Sequence, residues 1–144
     1  MTRLLDVNCL IALAWSNHIH HDLVAAWFEE AARIDWATTP AIQNGFVRIS
    51  MNPAVTGTPV SFPVATTVLK QFLAIGNHRT IESVPGPTSW PLWLATRLQG
   101  HRQIADASLL ACSVVNDLVL STLDGGILDL VDRDHRDLVE VIPI

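Results

Sequence analysis

The sequence predicts an α/β protein with a central, mostly parallel sheet and helices on both faces. Three observations carry this. Five short apolar runs, at 2–5, 36–39, 80–84, 118–122 and 139–142, read as strands. Helical stretches separate the first four runs, so parallel pairing through right-handed crossovers is the natural solution. The 144 residues are 49% hydrophobic, enough for a core and of a length that fits one domain, residues 1–144.

Taken in order, strand 1 ends at Asp6, and a helix from about Asn8 to Trp15 follows, with Asn8 as its cap. SNHIHHDL is a polar loop. Val24, Trp27, Phe28 and Ala31 recur at helical spacing, which places a second helix over His21–Arg33. Trp36–Thr39 is β-leaning, and Pro40 suits the first turn of a third helix that stops near Asn52-Pro53. Residues 53–62 hold Pro53, Gly57 and Pro59 and read as a loop. A fourth helix spans Pro63–Ile75 and is closed by Gly76-Asn77. Thr80–Val84 is a weak strand. After the PGPTSWP cluster comes a short helix at Pro91–Leu98, and then the strongest helix of the chain, Ile104–Val115. The strand at Leu118–Thr122 runs into Leu123-Asp124-Gly125-Gly126, and Val139–Ile142 is the last strand.

Composition excludes several classes. No apolar run reaches the roughly 20 residues of a membrane span. MTRLLDVNCL meets Asp6 too early for a signal peptide, so a cytoplasmic protein is expected. Cys9 and Cys112 stand alone in apolar helical patterns, as buried reduced thiols do, and suggest no zinc. The net charge of −5 argues against nucleic-acid binding by bulk electrostatics. It is compatible with acids gathered around a divalent cation, which returns positive charge where a phosphate would approach.

The positions of the acids give that second reading weight. In open α/β sheets the ligand site lies outside the carboxyl ends of the strands. Asp6 ends strand 1, Asp124 lies just past the strand at 118–122, and Asp106 sits in the first turn of the helix leading into that strand. Each has an ordinary alternative: a turn residue for Asp6 and Asp124, a complement to the helix dipole for Asp106. Three carboxylates at one edge would repel, and a hard cation such as Mg²⁺ or Mn²⁺ resolves that cost. Metal-assisted phosphodiester hydrolysis is the reaction class these residues suggest.

Four segments, LLDVNCLIAL, ATTPAIQNGFVRISMNP, GHRQIADASLLACS and LSTLDGGI, occur in an order and spacing that resembles the PIN-domain ribonuclease toxins of VapBC toxin–antitoxin systems. The likeness runs from residue 3 to about residue 130. It implies a PIN-like three-layer α/β/α sandwich and a Mg²⁺/Mn²⁺-dependent endoribonuclease that cuts RNA. It also implies a cognate antitoxin protein and a homodimer. The family's acidic quartet falls on Asp6, position 43, Asp106 and Asp124, with Asn8 and Thr122 matching polar residues beside that site. Position 43 departs from the pattern. The family's Glu is replaced in Gln43-Asn44-Gly45-Phe46, either by divergence or by deliberate silencing. The exchange keeps the shape but removes a charge and a good metal ligand, so poor RNA cleavage is expected. A catalytically silent PIN fold that binds RNA or protein is the alternative from another class. A PIN-domain RNA-processing nuclease without an antitoxin is a third.

Weaker signals complete the reading. Arg48, near Gln43, and Arg102, ahead of Asp106, are candidates for RNA contact, weighed against solvated or structural arginines. His18, His20 and His21 lack a zinc spacing with a clear fourth ligand, and a solvated loop is expected, with RNA contact as the alternative. The five tryptophans read as packing residues, although Trp90 and Trp93 beside a proline could be exposed to a base or an antitoxin.

Overall fold

The computed structural model describes residues 1–144. Strands β1 (Arg3–Leu5), β2 (Trp36–Thr38), β3 (His78–Thr80), β4 (Val119–Thr122) and β5 (Val139–Val141) form one sheet in the order β3-β2-β1-β4-β5. Every pairing is parallel: Leu4 faces Ala37 on one side and Leu120 on the other. Seven α-helices connect the strands: α1 (Val7–Ala14), α2 (His21–Trp27), α3 (Pro40–Ser50), α4 (Pro53–Thr56), α5 (Phe62–Leu73), α6 (Leu92–Ala95) and α7 (Ile104–Asn116). The arrangement is the expected PIN-like sandwich. The chain leaves β1 toward β2 and β3, then returns to the other side of β1 for β4 and β5. The order reverses between β1 and β4, and the crevice at their carboxyl ends is the switch point where such sheets bind ligands.

Local chemistry explains the boundaries. Asp6 caps α1, its Oδ1 accepting the Val7 N–H at 2.7 Å. The cap expected of Asn8 therefore falls two residues earlier, and the Asn8 side chain reaches across to β4 instead. Thr39 caps α3 ahead of Pro40, and Ser61 caps α5. The expected long second helix is α2 continued by a π turn at Phe28–Ala32, whose wider ring closes from the Arg33 N–H to the Phe28 carbonyl at 2.9 Å. Within the expected loop at 53–62, Asn52 caps the one-turn α4, which Gly57 ends at φ 80°. The short helix after Pro91 is likewise one turn, and two 3-10 turns fill residues 125–138 between β4 and β5.

The third strand is the main correction: β3 lies at 78–80, ahead of the expected 80–84. Register causes this. β2 runs into Thr39-Pro40, and Pro40 has no N–H to extend the ladder. The last bond between the strands is from the Ile81 N–H to the Thr38 carbonyl, at 2.8 Å. Residues beyond it cross the carboxyl edge of the sheet. Gly76, at φ 62°, makes the turn before β3, with its Cα so close to the Arg33 carbonyl that any Cβ would collide with it.

Twenty-nine buried residues make one hydrophobic cluster, with Leu4, Leu5, Leu10, Trp36, Phe46, Leu110 and Leu120 among its members. Cys9 and Cys112 are buried free thiols. Trp36 meets Phe28 edge-on, with ring centroids 5.2 Å apart. One ionic group also lies against the sheet. Glu140 accepts from Arg3 at 2.9 Å, from Ser121 at 3.1 Å and from Trp27 at 3.3 Å. These contacts hold its carboxyl below the usual range against the opposing effect of burial. No helix is long and apolar enough to cross a membrane.

Candidate functional site

The site begins where β1 and β4 end side by side. Leu5 is in register with Ser121, so the next residues, Asp6 and Thr122, face one another at the carboxyl edge. The Thr122 hydroxyl donates to Asp6 Oδ2 at 2.9 Å. It accepts from Asn8 Nδ2 at 3.0 Å and from the Asp124 backbone N–H at 3.1 Å. Asn8 Oδ1 accepts the Leu123 N–H at 3.1 Å, which ties α1 to the loop after β4. Asp124 turns that loop by accepting the Gly126 N–H at 2.9 Å. Burial raises the Asp6 pKa, the bonds from Thr122 and Val7 lower it, and the charge of Asp124 raises it, with a net rise.

Asp106 comes to the same place from the first turn of α7. Its pKa rises to about 6, through burial first and then the negative charges of Asp6 and Asp124. No cation or hydrogen bond offsets that rise. All three aspartates border one cavity of about 390 Å³, together with Asn8 and His18. No three His, Cys, Asp or Glu side chains stand in a ready-made metal-holding set. The aspartates share a wall and feel one another's charge without converging on a single point. Their chemistry nonetheless fits a hard divalent cation. Every charged donor is a carboxylate oxygen, and Mg²⁺ retains waters that span the remaining distance.

Gln43 stands apart from this group. Its amide donates to Thr38 Oγ1 and Thr80 Oγ1, each at 3.0 Å, at the ends of β2 and β3. It borders neither cavity that Asp6 lines. Arg48 is exposed and lines a second cavity, of about 460 Å³, which also reaches Asp6 and Asp106. Arg102 is exposed in the 3-10 turn before α7 and borders neither cavity.

Sequence reasoning missed two residues. His18, expected in a solvated loop, forms part of the carboxylate cavity, and its Nδ1 accepts the His20 N–H at 3.1 Å. Burial and the neighbouring histidines lower its pKa. His21 is pinned to α1 through the Ala12 carbonyl at 2.9 Å. No periodicity marks these placements. Glu82 lines the larger cavity. The carboxyl-edge rule finds it once β3 is set at 78–80, because it lies two residues past the strand. Trp90 and Trp93 are half-buried, and Trp93 stacks on His135 at 4.3 Å between centroids.

A parallel sheet in this order, with three aspartates around its switch point, defines an acidic PIN-type site. Solved structures share the fold. PAE2754 from Pyrobaculum aerophilum superposes with a TM-score of 0.60 at 22% identity, covering 98% of this chain and 84% of that one. VapBC2 from Rickettsia felis, bound to a DNA fragment from their promoter, gives 0.59 at 12% identity over 99% and 100%. Among curated proteins of Mycobacterium tuberculosis, Ribonuclease VapC38 is 37% identical over 141 residues, 98% of each chain. Ribonuclease VapC39 is 36% identical over 151 residues, 99% of this chain and 100% of the relative. Ribonuclease VapC29 is 34% identical over 143 residues, 99% and 98%. No family model matches the sequence. At these identities and coverages the chain belongs to the VapC ribonuclease family.

Proposed function

We propose that this protein is a Mg²⁺- or Mn²⁺-dependent endoribonuclease, the toxin of a type II toxin–antitoxin pair. The observation that carries the proposal is the shared cavity of Asp6, Asp106 and Asp124 at the switch point. Membership of the VapC family supports the ribonuclease reading, and an antitoxin partner accords with the VapBC neighbour. The functional unit is a homodimer that the antitoxin neutralises.

Asp6, Asp106 and Asp124 hold the ion, and Asn8 and Thr122 fix Asp6 and the Asp124 loop. When bound, Mg²⁺ or Mn²⁺ supplies a polarised water and positive charge against the phosphodiester. Asp106, otherwise pushed toward its protonated form, is the carboxylate whose charge the ion most relieves. Arg48 pairs with a neighbouring phosphate, and Arg102 contacts the RNA farther along its approach to α7. These residues orient RNA and hold its charge on a molecule whose net charge is −5.

Gln43, held by Thr38 and Thr80 outside the aspartates' cavity, brings no fourth acidic charge to that edge, so both metal binding and cleavage are weak. It also favours the competing reading, a silent PIN fold that binds RNA without cutting it. RNA cleavage by the purified chain with Mn²⁺, beside Asp6→Asn and Gln43→Glu, separates the two. The nuclease reading requires metal-dependent cutting that Asp6→Asn abolishes and Gln43→Glu increases by about ten-fold or more, the size of the effect of a group that supports metal ligands from outside. Equal cutting by the chain and its Gln43→Glu variant contradicts the weakening. RNA binding without any cutting establishes the silent module.

A further inference from the structure

The larger cavity offers something the metal reading does not use. It shares Val7, Asp6 and Asp106 with the carboxylate cavity, so the two are adjoining compartments. Its walls are mainly aliphatic, from Val7, Ile42, Val84 and Leu109. Beyond the shared Asp6 and Asp106, its charged side chains are Arg48 and Glu82, and Thr39 and Ser108 add hydroxyls. The three ion pairs of the molecule join Arg3 to Glu140, Arg33 to Glu29 and His135 to Asp132, which leaves Arg48 and Glu82 unpaired. Glu82 is exposed, and its charge is not among those that raise Asp106. Its exposure suits a hydrogen-bond acceptor at the rim of the cavity.

We propose that this compartment takes the unstacked base next to the scissile phosphate, and that Glu82 selects guanine there. The proposal rests on the nuclease reading for its phosphate. A phosphate at the aspartates puts its own nucleotide's base within one compartment's reach, and the common wall supplies that adjacency. Aliphatic walls with a few convergent polar groups are what a small flat ligand requires. Sequence-specific RNA recognition works on splayed bases read along their Watson–Crick edges. A carboxylate only accepts hydrogen bonds, and guanine alone among the four bases presents two adjacent N–H donors on that edge, at N1 and the exocyclic N2. Adenine and cytosine offer one donor group beside an acceptor, and uracil a single N–H. Arg48, as a phosphate contact, carries no base information.

Fluorescence anisotropy with the labelled single strands UUGUU, UUIUU and UUAUU tests this, with Ca²⁺ in place of Mn²⁺. Inosine lacks only the N2 amino group. The wild-type chain is expected to bind the guanine strand roughly ten-fold more tightly than the inosine strand, the discrimination of one good paired contact. Glu82→Ala is expected to abolish that difference, read as the ratio of guanine to inosine affinity so that the uniform effect of removing a negative charge cancels. Exposure of Glu82 makes the variant safe for folding, which circular dichroism checks. Equal affinity for guanine and inosine overturns the proposal. So does a guanine preference that survives in Glu82→Ala, the outcome expected if another group reads the base. So does failure to bind any of the strands. The same strands with Mn²⁺ separate the two readings. Cutting without a Glu82-dependent preference removes the base pocket and keeps the nuclease. Guanine-selective binding without cutting removes the nuclease and keeps the pocket.

Discussion

Thr122 is only 1% exposed, and its one hydroxyl satisfies three groups, two at the start of α1 and one in the loop after β4. The proton goes to Asp6, and the lone pairs take the Asn8 amide and the Asp124 N–H. Thr122→Val keeps the shape and removes the oxygen, leaving half-buried polar groups without their partner. The expected loss of stability is about 1–3 kcal/mol, the cost of orphaning such groups. The Asp6 pKa should climb further, since the Thr122 bond is its largest lowering influence. Urea unfolding at neutral pH measures the first effect, and carboxyl titration by NMR the second. Thr122→Ser should recover both. A Thr122→Val protein as stable as the parent would show that the hub holds nothing together.

At the scale of elements, α1 and α3 meet where Gly45 faces Val7. A Cβ on Gly45 would lie 2.9 Å from Val7 Cγ2. Val7 has little room to yield, because its N–H is bonded to Asp6 and its side chain is β-branched. Gly45→Ala gains about 1 kcal/mol of helix propensity, against about 1–3 kcal/mol for overpacking. The clash should win, pushing α3 from α1 and lowering the melting temperature. Val7→Ala should restore it, so that the double variant is more stable than Gly45→Ala alone. Additive losses in thermal melts would count against the contact. The same contrast between pattern and contact explains what the sequence disclosed. Parallel strands and most helices were legible because apolar spacing and proline and glycine positions set them. Asp6, Asp106 and Asp124 could be placed at one edge because strand ends and helix starts are backbone features. The start of β3 depended on register with β2 and the turn at Gly76. The direction of Gln43 depended on which hydroxyls its amide could reach. His18 and Glu82 lie on loops whose course no periodicity records.

Over the whole molecule, the design gathers like charges at one edge of a chain that is already acidic, and this has a cost in stability. Folding raises the Asp106 pKa from an ordinary value near 3.8 to about 6. Between those values the folded chain binds more protons at Asp106 than the unfolded chain does, so this residue's effect is to make stability fall as pH rises through that window. Above about pH 6 the loss is complete and flat. Asp132 and Glu140, whose pKa values are lowered, act in the opposite sense and lose their contribution on acidification. Asp106→Asn removes only the first effect. Without divalent ions, the variant should melt higher than the parent at pH 7, and the gap should close toward pH 4. Mn²⁺ should reverse the ranking at pH 7, because a ligand of the folded state raises the melting temperature of the chain that binds it better. That gain should shrink at pH 5, where Asp106 retains its proton and competes with the ion. Thermal melts of the two proteins from pH 4 to 7.5, with and without Mn²⁺, decide the matter. Identical curves would mean that the charge of Asp106 is not a strain that folding bears and a cation relieves.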